Sequence, residues 1–339
     1  MGGRLGNAAL SLVGLGLIAA VAVPFIDWGL INADFVGTSA ADCTSGGACW
    51  VFIGSRFDQF MVGFYPRAQR WRLWLALVLL IALLWPLLRP AGRHRGLFAG
   101  LLFFAFPPLA WLLLAGGAFG LAPVDTALWG GLMLSLSISV LGMLAALPLG
   151  ILLALGRRSR LPVARWFSIG VIEFWRGVPL ITVLFMASVV LPLFLPEGLS
   201  PDKLLRAWIG MALFYGAYAA EAVRGGLQAV PRGQTEAAAA LGLGPWLITT
   251  RIVLPQALTH AIPGLVNTFI NLLKDSTLLM IIGLFDLLGI VQAAATDPAW
   301  LGHSPEGYFF VGAIFWVLCF SMSRYSRGLE KSRRKGQVH

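Results

Sequence analysis

The sequence predicts an all-α polytopic membrane protein, a helical bundle of about eight transmembrane helices with one long cytoplasmic loop. Of its 339 residues, 58% are hydrophobic and 12% are charged, whereas roughly a quarter of the residues in soluble domains are charged. Several apolar runs reach the roughly 20 residues that a helix needs to cross about 30 Å of hydrocarbon. The basic residues form short clusters between these runs, which is typical of cytoplasmic loops.

The first three predicted spans cover residues 8–26, 73–88 and 97–119. The first run favours an anchor helix, because every later basic cluster then falls on one side of the membrane. Its small residues at 19–22 leave a cleaved signal peptide as the alternative. The loop 27–70 is then expected outside, and the basic cluster of Arg89, Arg93 and Arg95 inside.

Five further spans are predicted, at residues 128–155, 178–195, 207–222, 262–282 and 308–322. The basic run GRRSR follows the first of these, and an amphipathic segment at 162–177 precedes the second. Both termini are then expected in the cytoplasm. The predicted organisation is an extension at 1–127, a five-helix core at 128–327 with a cytoplasmic loop at about 224–258, and a basic tail at 328–339.

Several function classes are excluded by what the sequence lacks. The net charge of +10 comes without a groove-binding motif, so nucleic acid is not an expected partner. The four histidines are scattered, so no metal site is expected. There is no GxSxG elbow or pair of catalytic carboxylates, so an enzyme is not expected. Cys43 and Cys49 lie in one polar stretch, CTSGGAC, and form either a small disulfide loop or two free thiols.

The loop between the sixth and seventh spans contains signals for two short helices. The alanine-rich stretch 235–241 favours a helix, and Gly242 and Gly244 suit its left-handed end. Pro245 suits the first turn of a second helix, which Pro255 is expected to limit. The first helix either docks on a partner or packs on its own bundle.

The spacing of this loop resembles the EAA loop of ABC importer permeases. The residues that carry the resemblance are Glu236, Ala237, Ala238, Gly242, Ile252, Leu254 and Pro255. The resemblance implies a coupling helix that docks into a groove of an ATPase subunit. Because no GxxxxGK[ST] phosphate loop occurs in the sequence, ATP and magnesium are expected on that separate ATPase chain.

The surrounding segments narrow the resemblance to one importer family. The segments EFWRGVPLITVLF, AYAAEAVRGGLQAVPRGQTEAA and LLKDSTLLMIIG are similar to the polar amino-acid uptake permeases. The extension, with GACWVFI and FMVGFYPRAQRWR, resembles the longer permeases of general L-amino-acid transporters, including those for glutamate, glutamine, aspartate and asparagine. This implies a bacterial inner-membrane assembly with a related second permease, two ATPase copies and a periplasmic amino-acid-binding protein.

Alternating access driven by ATP is the transport mechanism that the resemblance implies. The alternatives are an importer for another small polar solute and, in a different class, an ion-coupled secondary transporter, which often carries an inverted repeat. No such repeat is evident in the sequence.

Four polar residues in the seventh span are candidates for the translocation path. They are Lys274, Asp275, Ser276 and Thr277. Charged groups at membrane depth cost about 3 kcal/mol or more each, so they usually face the protein interior or a water-filled cavity. The alternative is that Lys274 and Asp275 pair with neighbouring helices and fix their packing.

Two charged pairs at the ends of spans are further candidates. Glu173 and Arg176 are three residues apart, as are Glu221 and Arg224, so each pair is expected to form an ion pair on one helix face. These pairs either fasten the cytoplasmic ends of the spans or act as a gate or substrate contact.

Overall fold

The computed structural model describes residues 2–88, 94–196 and 200–336. Arg89 and Arg93 of the first predicted basic cluster lie outside these residues, as do residues 197–199 and 337–339. The described residues form helices and connecting loops, with two isolated bridges and no strand, which confirms the all-α class. The helices are α1 Gly2–Ile26, α2 Val51–Val62, α3 Trp71–Leu88, α4 Arg95–Gly100, α5 Phe106–Ala115, α6 Gly131–Arg157, α7 Pro162–Gly177, α8 Leu180–Phe185, α9 Leu191–Leu193, α10 Lys203–Ala229, α11 Arg232–Ala240, α12 Pro245–Leu247, α13 Leu254–Asp275, α14 Leu287–Ala295 and α15 Ser304–Gly336.

Within the described residues, six helical stretches are long and apolar enough to cross a membrane. They are Ala9–Ile31, Arg67–Leu87, Arg95–Ala115, Gly131–Arg157, Pro245–Ile282 and Ser304–Leu329. These stretches match the first four and the last two predicted spans. A seventh is obtained if α7 and the run Leu180–Leu193, which meet at a bend of 101°, count as one broken span. This run corresponds to the predicted fifth span.

The predicted sixth span is α10, which is long enough to cross the membrane but less apolar than the other spans. Its 27 residues extend about 40 Å. It lies between α6 and α13, and small residues such as Ala217, Ala219 and Ala220 are fully buried along it. A helix covered by protein does not need the apolar surface that lipid requires. This explains why eight spans are predicted, whereas only six or seven helical stretches of the described residues are long and apolar enough to count as spans.

Glycines bring the backbones of the central helices into close contact. A Cβ atom on Gly150 of α6 would lie 2.7 Å from the Cβ of Ala219, and one on Gly226 of α10 would lie 2.2 Å from the carbonyl oxygen of Ala257. Real Cβ atoms do not approach other atoms so closely, so any side chain would push these helices apart. The α6, α10 and α13 backbones therefore form the centre of the bundle.

The loop predicted outside the membrane, 27–70, folds onto the helices that end the chain. It contains α2, which packs against α6, α14 and α15. The backbone N–H of Cys49 donates a hydrogen bond to Glu306 of α15 at 2.8 Å, and Arg56 pairs with Asp297 at 2.5 Å. The extension thus shares a buried core with the five-helix region.

The structure joins the two cysteines of this loop. The Cα atoms of Cys43 and Cys49 are 5.6 Å apart, and the structure connects their sulfur atoms. This separation is within the range that disulfides require. Cys319, in contrast, lies alone in α15.

Candidate functional site

The helix that carries the predicted coupling residues ends in a tight left-handed turn. Just after α11, the N–H of Leu243 donates to the carbonyl oxygen of Ala238 at 3.2 Å, and Gly242 has φ +79°. This is the hydrogen bond of a Schellman cap, which favours glycine at the left-handed position. The predicted left-handed conformation is confirmed for Gly242 and wrong for Gly244, whose φ is −70°.

The second predicted helix begins as expected but does not end at Pro255. Pro245 is the first residue of α12. The chain then stays helical through a π-helical segment, Ile248–Val253, into α13. Pro255 is tolerated because it lies near the start of α13, where the wider π turn precedes it and its missing N–H breaks no α-helical hydrogen bond.

The exposed surface of this loop combines one carboxylate with small and apolar groups. Glu236 and Ala237 are exposed, whereas Ala238 is buried. Leu241 and Trp246 are 81% and 75% exposed on either side of the turn. Sequence reasoning did not identify these two residues, although large apolar residues beside a helix-ending glycine in a polar loop were visible. We call Glu236, Ala237, Leu241 and Trp246 the docking surface.

The second half of the predicted motif lies below and beside α11. Ile252 is half-buried against the core beneath α11, Leu254 is half-buried, and Pro255 is exposed. Gln256, beside them on α13, donates to the backbone carbonyl of Ile252 at 2.8 Å and approaches Gln234 of α11 at 3.4 Å. These residues therefore hold α11 in place.

A single buried cluster connects α11 to the membrane helices. We call it the coupling core; its buried members are Leu153, Ala154, Ile172, Ala219, Ala220, Val223, Leu227, Val230, Ala238, Ile248, Val253, Ala257, Ala261 and Leu265. They come from α6, α7, α10, α11, the π-helical segment and α13, with Val230 in the turn between α10 and α11. Because close-packed interiors transmit strain, a displacement of α11 acts on all these helices.

Beside the coupling core, five charged residues form a cluster between α6, α7 and α10. Arg157 donates to Glu173 at 3.1 Å and to Glu221 at 2.8 Å. The guanidinium of Arg224 bonds Glu221 at 2.6 Å, and that of Arg176 lies 3.9 Å from it. We call these residues the arginine–glutamate cluster. It contains three arginines and two glutamates and so has a net positive charge.

Only one of the two predicted ion pairs forms within its helix. The pair Glu221–Arg224 is confirmed. The pair Glu173–Arg176 is wrong, because Glu173 contacts Arg157 of α6 while Arg176 faces Glu221 of α10 and the ring of Tyr218. Arg157 was not predicted, since spacing along one helix carries no information about a partner on another.

The four polar residues of the seventh span do not converge on one cavity. Asp275 accepts a hydrogen bond from the hydroxyl of Tyr215 on α10. The hydroxyls of Ser276 and Thr277 each donate to a backbone carbonyl one turn earlier, at 2.8 Å. Lys274 is exposed and makes no ion pair with the described residues. The Asp275 contact favours the packing alternative for that residue.

A cavity of about 560 Å³ lies elsewhere, among α2, α3, α5 and α6. Its lining is mostly apolar, with Asp58, Arg70 and Ser137 as the polar members, and includes none of the predicted path residues. The carboxylate of Asp58 and the guanidinium of Arg70 pair with each other at 2.7 Å.

Comparison with protein families gives a match over much of the chain. Residues 146–335 match the family described as "Binding-protein-dependent transport system inner membrane component". The "Inner membrane amino-acid ABC transporter permease protein YhdY" of Escherichia coli K12 is 53% identical over 98% of this chain and 90% of its own length. The "Glutamate/glutamine/aspartate/asparagine transport system permease protein BztC" of Rhodobacter capsulatus is 39% identical over 97% of this chain and 91% of its own length.

A solved structure shares its fold with a large part of this chain. It is described as "Crystal structure of an amino acid ABC transporter with histidines". The two chains superpose with a TM-score of 0.53 at 28% identity, and the alignment covers 60% of this chain and 92% of the other.

Proposed function

This chain belongs to the inner-membrane components of binding-protein-dependent transport systems, and on that premise we propose that it imports polar L-amino acids as a permease subunit driven by ATP. The observation that carries the proposal is the docking surface mounted on the coupling core. The names of the two relatives support amino acids as the substrate class.

The energy for transport enters through α11. The docking surface sits in a groove of an ATPase subunit, with Glu236 as its charged contact and Leu241 and Trp246 as its apolar contacts. ATP and magnesium bind on that chain. The movement of α11 passes through the coupling core to α6, α10 and α13. Their rearrangement opens the translocation path alternately to the two sides of the membrane.

The assembly contains partners that the family membership suggests. They are two ATPase subunits, a related second permease and a periplasmic amino-acid-binding protein. Both termini of this chain lie in the cytoplasm. The loop joined at Cys43 and Cys49 then lies in the oxidising periplasm, where a disulfide persists.

The arginine–glutamate cluster fastens the ends of the moving helices. Its contacts join three different helices, so they hold the helix ends together as α11 moves. The net positive charge of the cluster also favours anionic solutes over cationic ones near it.

The test is to truncate the docking surface in the reconstituted assembly. Trp246→Ala removes an exposed aromatic anchor, and an interface tryptophan of this kind contributes about 2 kcal/mol or more to docking. We expect ATPase stimulation and uptake to fall together in this variant and in Glu236→Ala. Trp316→Ala, which removes an exposed tryptophan from α15, is the control and should retain both. Full stimulation and uptake in the docking-surface variants would contradict the proposal.

A further inference from the structure

Helix α7 has three distinct faces. Ser168 and Ile172 are buried against the bundle. Glu173 and Arg176 lie on a second face, which carries contacts of the arginine–glutamate cluster. The third face is apolar and uncovered, so the packing of the bundle explains only part of the helix.

The uncovered face of α7 consists of large apolar side chains. Val163, Trp166, Phe167 and Phe174 are 83%, 70%, 68% and 61% exposed. Their spacing of three, four and eleven residues places them on one side of the helix. Tryptophan is enriched where the membrane meets water, and helices that lie in this interface carry Trp and Phe on their apolar face.

Unpaired positive charges accompany this face. Arg158 and Arg160 lie in the turn before α7, and Arg165 lies in its first turns; all three are exposed. None forms an ion pair with any residue that the structure describes. Residues 158–172 contain no aspartate or glutamate, so the segment presents positive charge without a local counter-charge.

The orientation of α7 suits a helix that lies on the membrane surface. It bends by 101° from the run Leu180–Leu193 that follows it. Where that run crosses the membrane, α7 lies nearly in the membrane plane. A helix with an apolar face, a polar face and flanking arginines in this orientation is typical of membrane-surface binding.

We propose that α7 is an interfacial helix that binds anionic phospholipid headgroups through Arg158, Arg160 and Arg165. Its apolar face enters the outer part of the acyl region. A neutral protein surface would match the apolar side chains but would leave the clustered arginines without the repeated negative charges that an anionic leaflet supplies. The charge pattern therefore favours lipid as the occupant.

The lipid contact lies next to the coupling machinery. Arg157, which precedes Arg158 in the chain, bonds both Glu173 of α7 and Glu221 of α10. Headgroups bound at the α6–α7 turn would hold these helix ends at a fixed depth. The inference does not depend on which solute is carried.

The test places a spin label on the apolar face of the full chain. Phe167→Cys, in a Cys319→Ser background, is labelled and reconstituted into vesicles of phosphatidylcholine or of equal parts phosphatidylcholine and phosphatidylglycerol. Collisions with oxygen, which enriches in lipid, and with a nickel chelate, which stays in water, report the depth of the label. We expect a high oxygen-to-nickel ratio in the mixed vesicles and a lower one in pure phosphatidylcholine.

Charge variants identify the arginines as the cause. The triple variant Arg158→Gln, Arg160→Gln, Arg165→Gln should lose the difference between the two vesicle types, and the corresponding triple lysine variant should retain it. The control Arg232→Gln, Arg251→Gln removes exposed charges from the coupling loop and should also retain it. Three results would overturn the proposal. The oxygen-to-nickel ratio of the chain with unchanged arginines could be the same in both vesicle types, or the label could collide freely with the nickel chelate. The label could also collide with neither reagent, because protein covers it. Because transport is not measured, none of these results depends on the proposed function.

Discussion

Glu221 is the residue on which the arginine–glutamate cluster depends. Its carboxylate contacts guanidinium groups from α6, α7 and its own helix, and its side chain is only 18% exposed. Glu173 contacts one arginine and is more exposed. The two glutamates therefore offer a matched comparison of a central and a peripheral contact.

We expect Glu221→Gln to lower the free energy of unfolding by about 1–3 kcal/mol, because hydrogen bonds to a charged group are lost and three arginines remain close together. Glu173→Gln should cost less than about 1 kcal/mol, as exposed ion pairs do. Thermal unfolding of the purified permease in detergent measures both. Equal losses in the two variants would show that Glu221 is not the central contact.

Asp286 is a buried carboxylate at the start of α14. Its side chain accepts hydrogen bonds from the backbone N–H groups of Leu288 at 3.2 Å and Gly289 at 2.9 Å. Burial raises the pKa of this carboxyl to about 6, although these hydrogen bonds oppose the shift. In the unfolded chain the pKa is about 3.8, so the folded state binds the proton more tightly.

The raised pKa of Asp286 makes stability depend on pH. The favourable contribution of its protonated form is fully present below about pH 4 and is lost as the pH rises through about 6. The shift corresponds to at most about 3 kcal/mol, at 1.36 kcal/mol per pKa unit. Asp286→Asn keeps an oxygen at the helix start but does not titrate, so its unfolding temperature should vary less between pH 4 and 7. The same pH slope in both proteins would contradict this account.

At the scale of the helices, the approach of α10 to α13 depends on one glycine of an adjacent pair. A Cβ on Gly226 would collide with the Ala257 carbonyl, whereas one on Gly225 would meet no neighbouring atom. We expect Gly226→Ala to cost about 1–3 kcal/mol of stability. Gly225→Ala should be neutral or stabilise by up to about 1 kcal/mol, because alanine favours a helix. Thermal unfolding compares them, and similar effects of the two changes would exclude backbone contact between α10 and α13 at Gly226.

The length of the apolar sequence runs was sufficient to predict most of the membrane-spanning helices. A run of about 20 apolar residues has few alternatives to a span, and six predicted spans were recovered in this way. The ends of α10 were predicted less accurately, at 207–222 instead of the observed Lys203–Ala229. The reason is that its protein-facing residues are small or polar and do not extend the apolar run. The sequence predicts a helix end at Pro255, whereas the chain continues through a π-helical segment that has no clear sequence pattern.

Contacts between helices account for the parts of the site that the sequence did not predict. The left-handed turn at Gly242 follows from local chain preferences and was predicted. The partner of Glu173 is Arg157, on another helix, and helix spacing instead indicated Arg176. The docking role of Ile252 was likewise inferred from the motif, while its half-buried position appears only in the packed structure.

At the scale of the whole molecule, the extension and the five-helix region are packed together. The core shared by α2, α14 and α15 fixes the extension to the end of the chain. The coupling core, with the docking surface above it, lies in a different cluster of helices. We therefore propose that energy enters through the second cluster, while the first supports the bundle.

The most direct test of this account is uptake by the whole assembly in proteoliposomes. Labelled glutamate, glutamine, aspartate and basic amino acids are supplied with the binding protein, with and without ATP inside the vesicles. The account predicts uptake of polar amino acids that requires ATP, with the anionic and amide substrates ahead of the basic ones. Uptake that proceeds equally well without ATP would contradict the central claim, and stimulated ATP hydrolysis without uptake of any of these amino acids would contradict the substrate class.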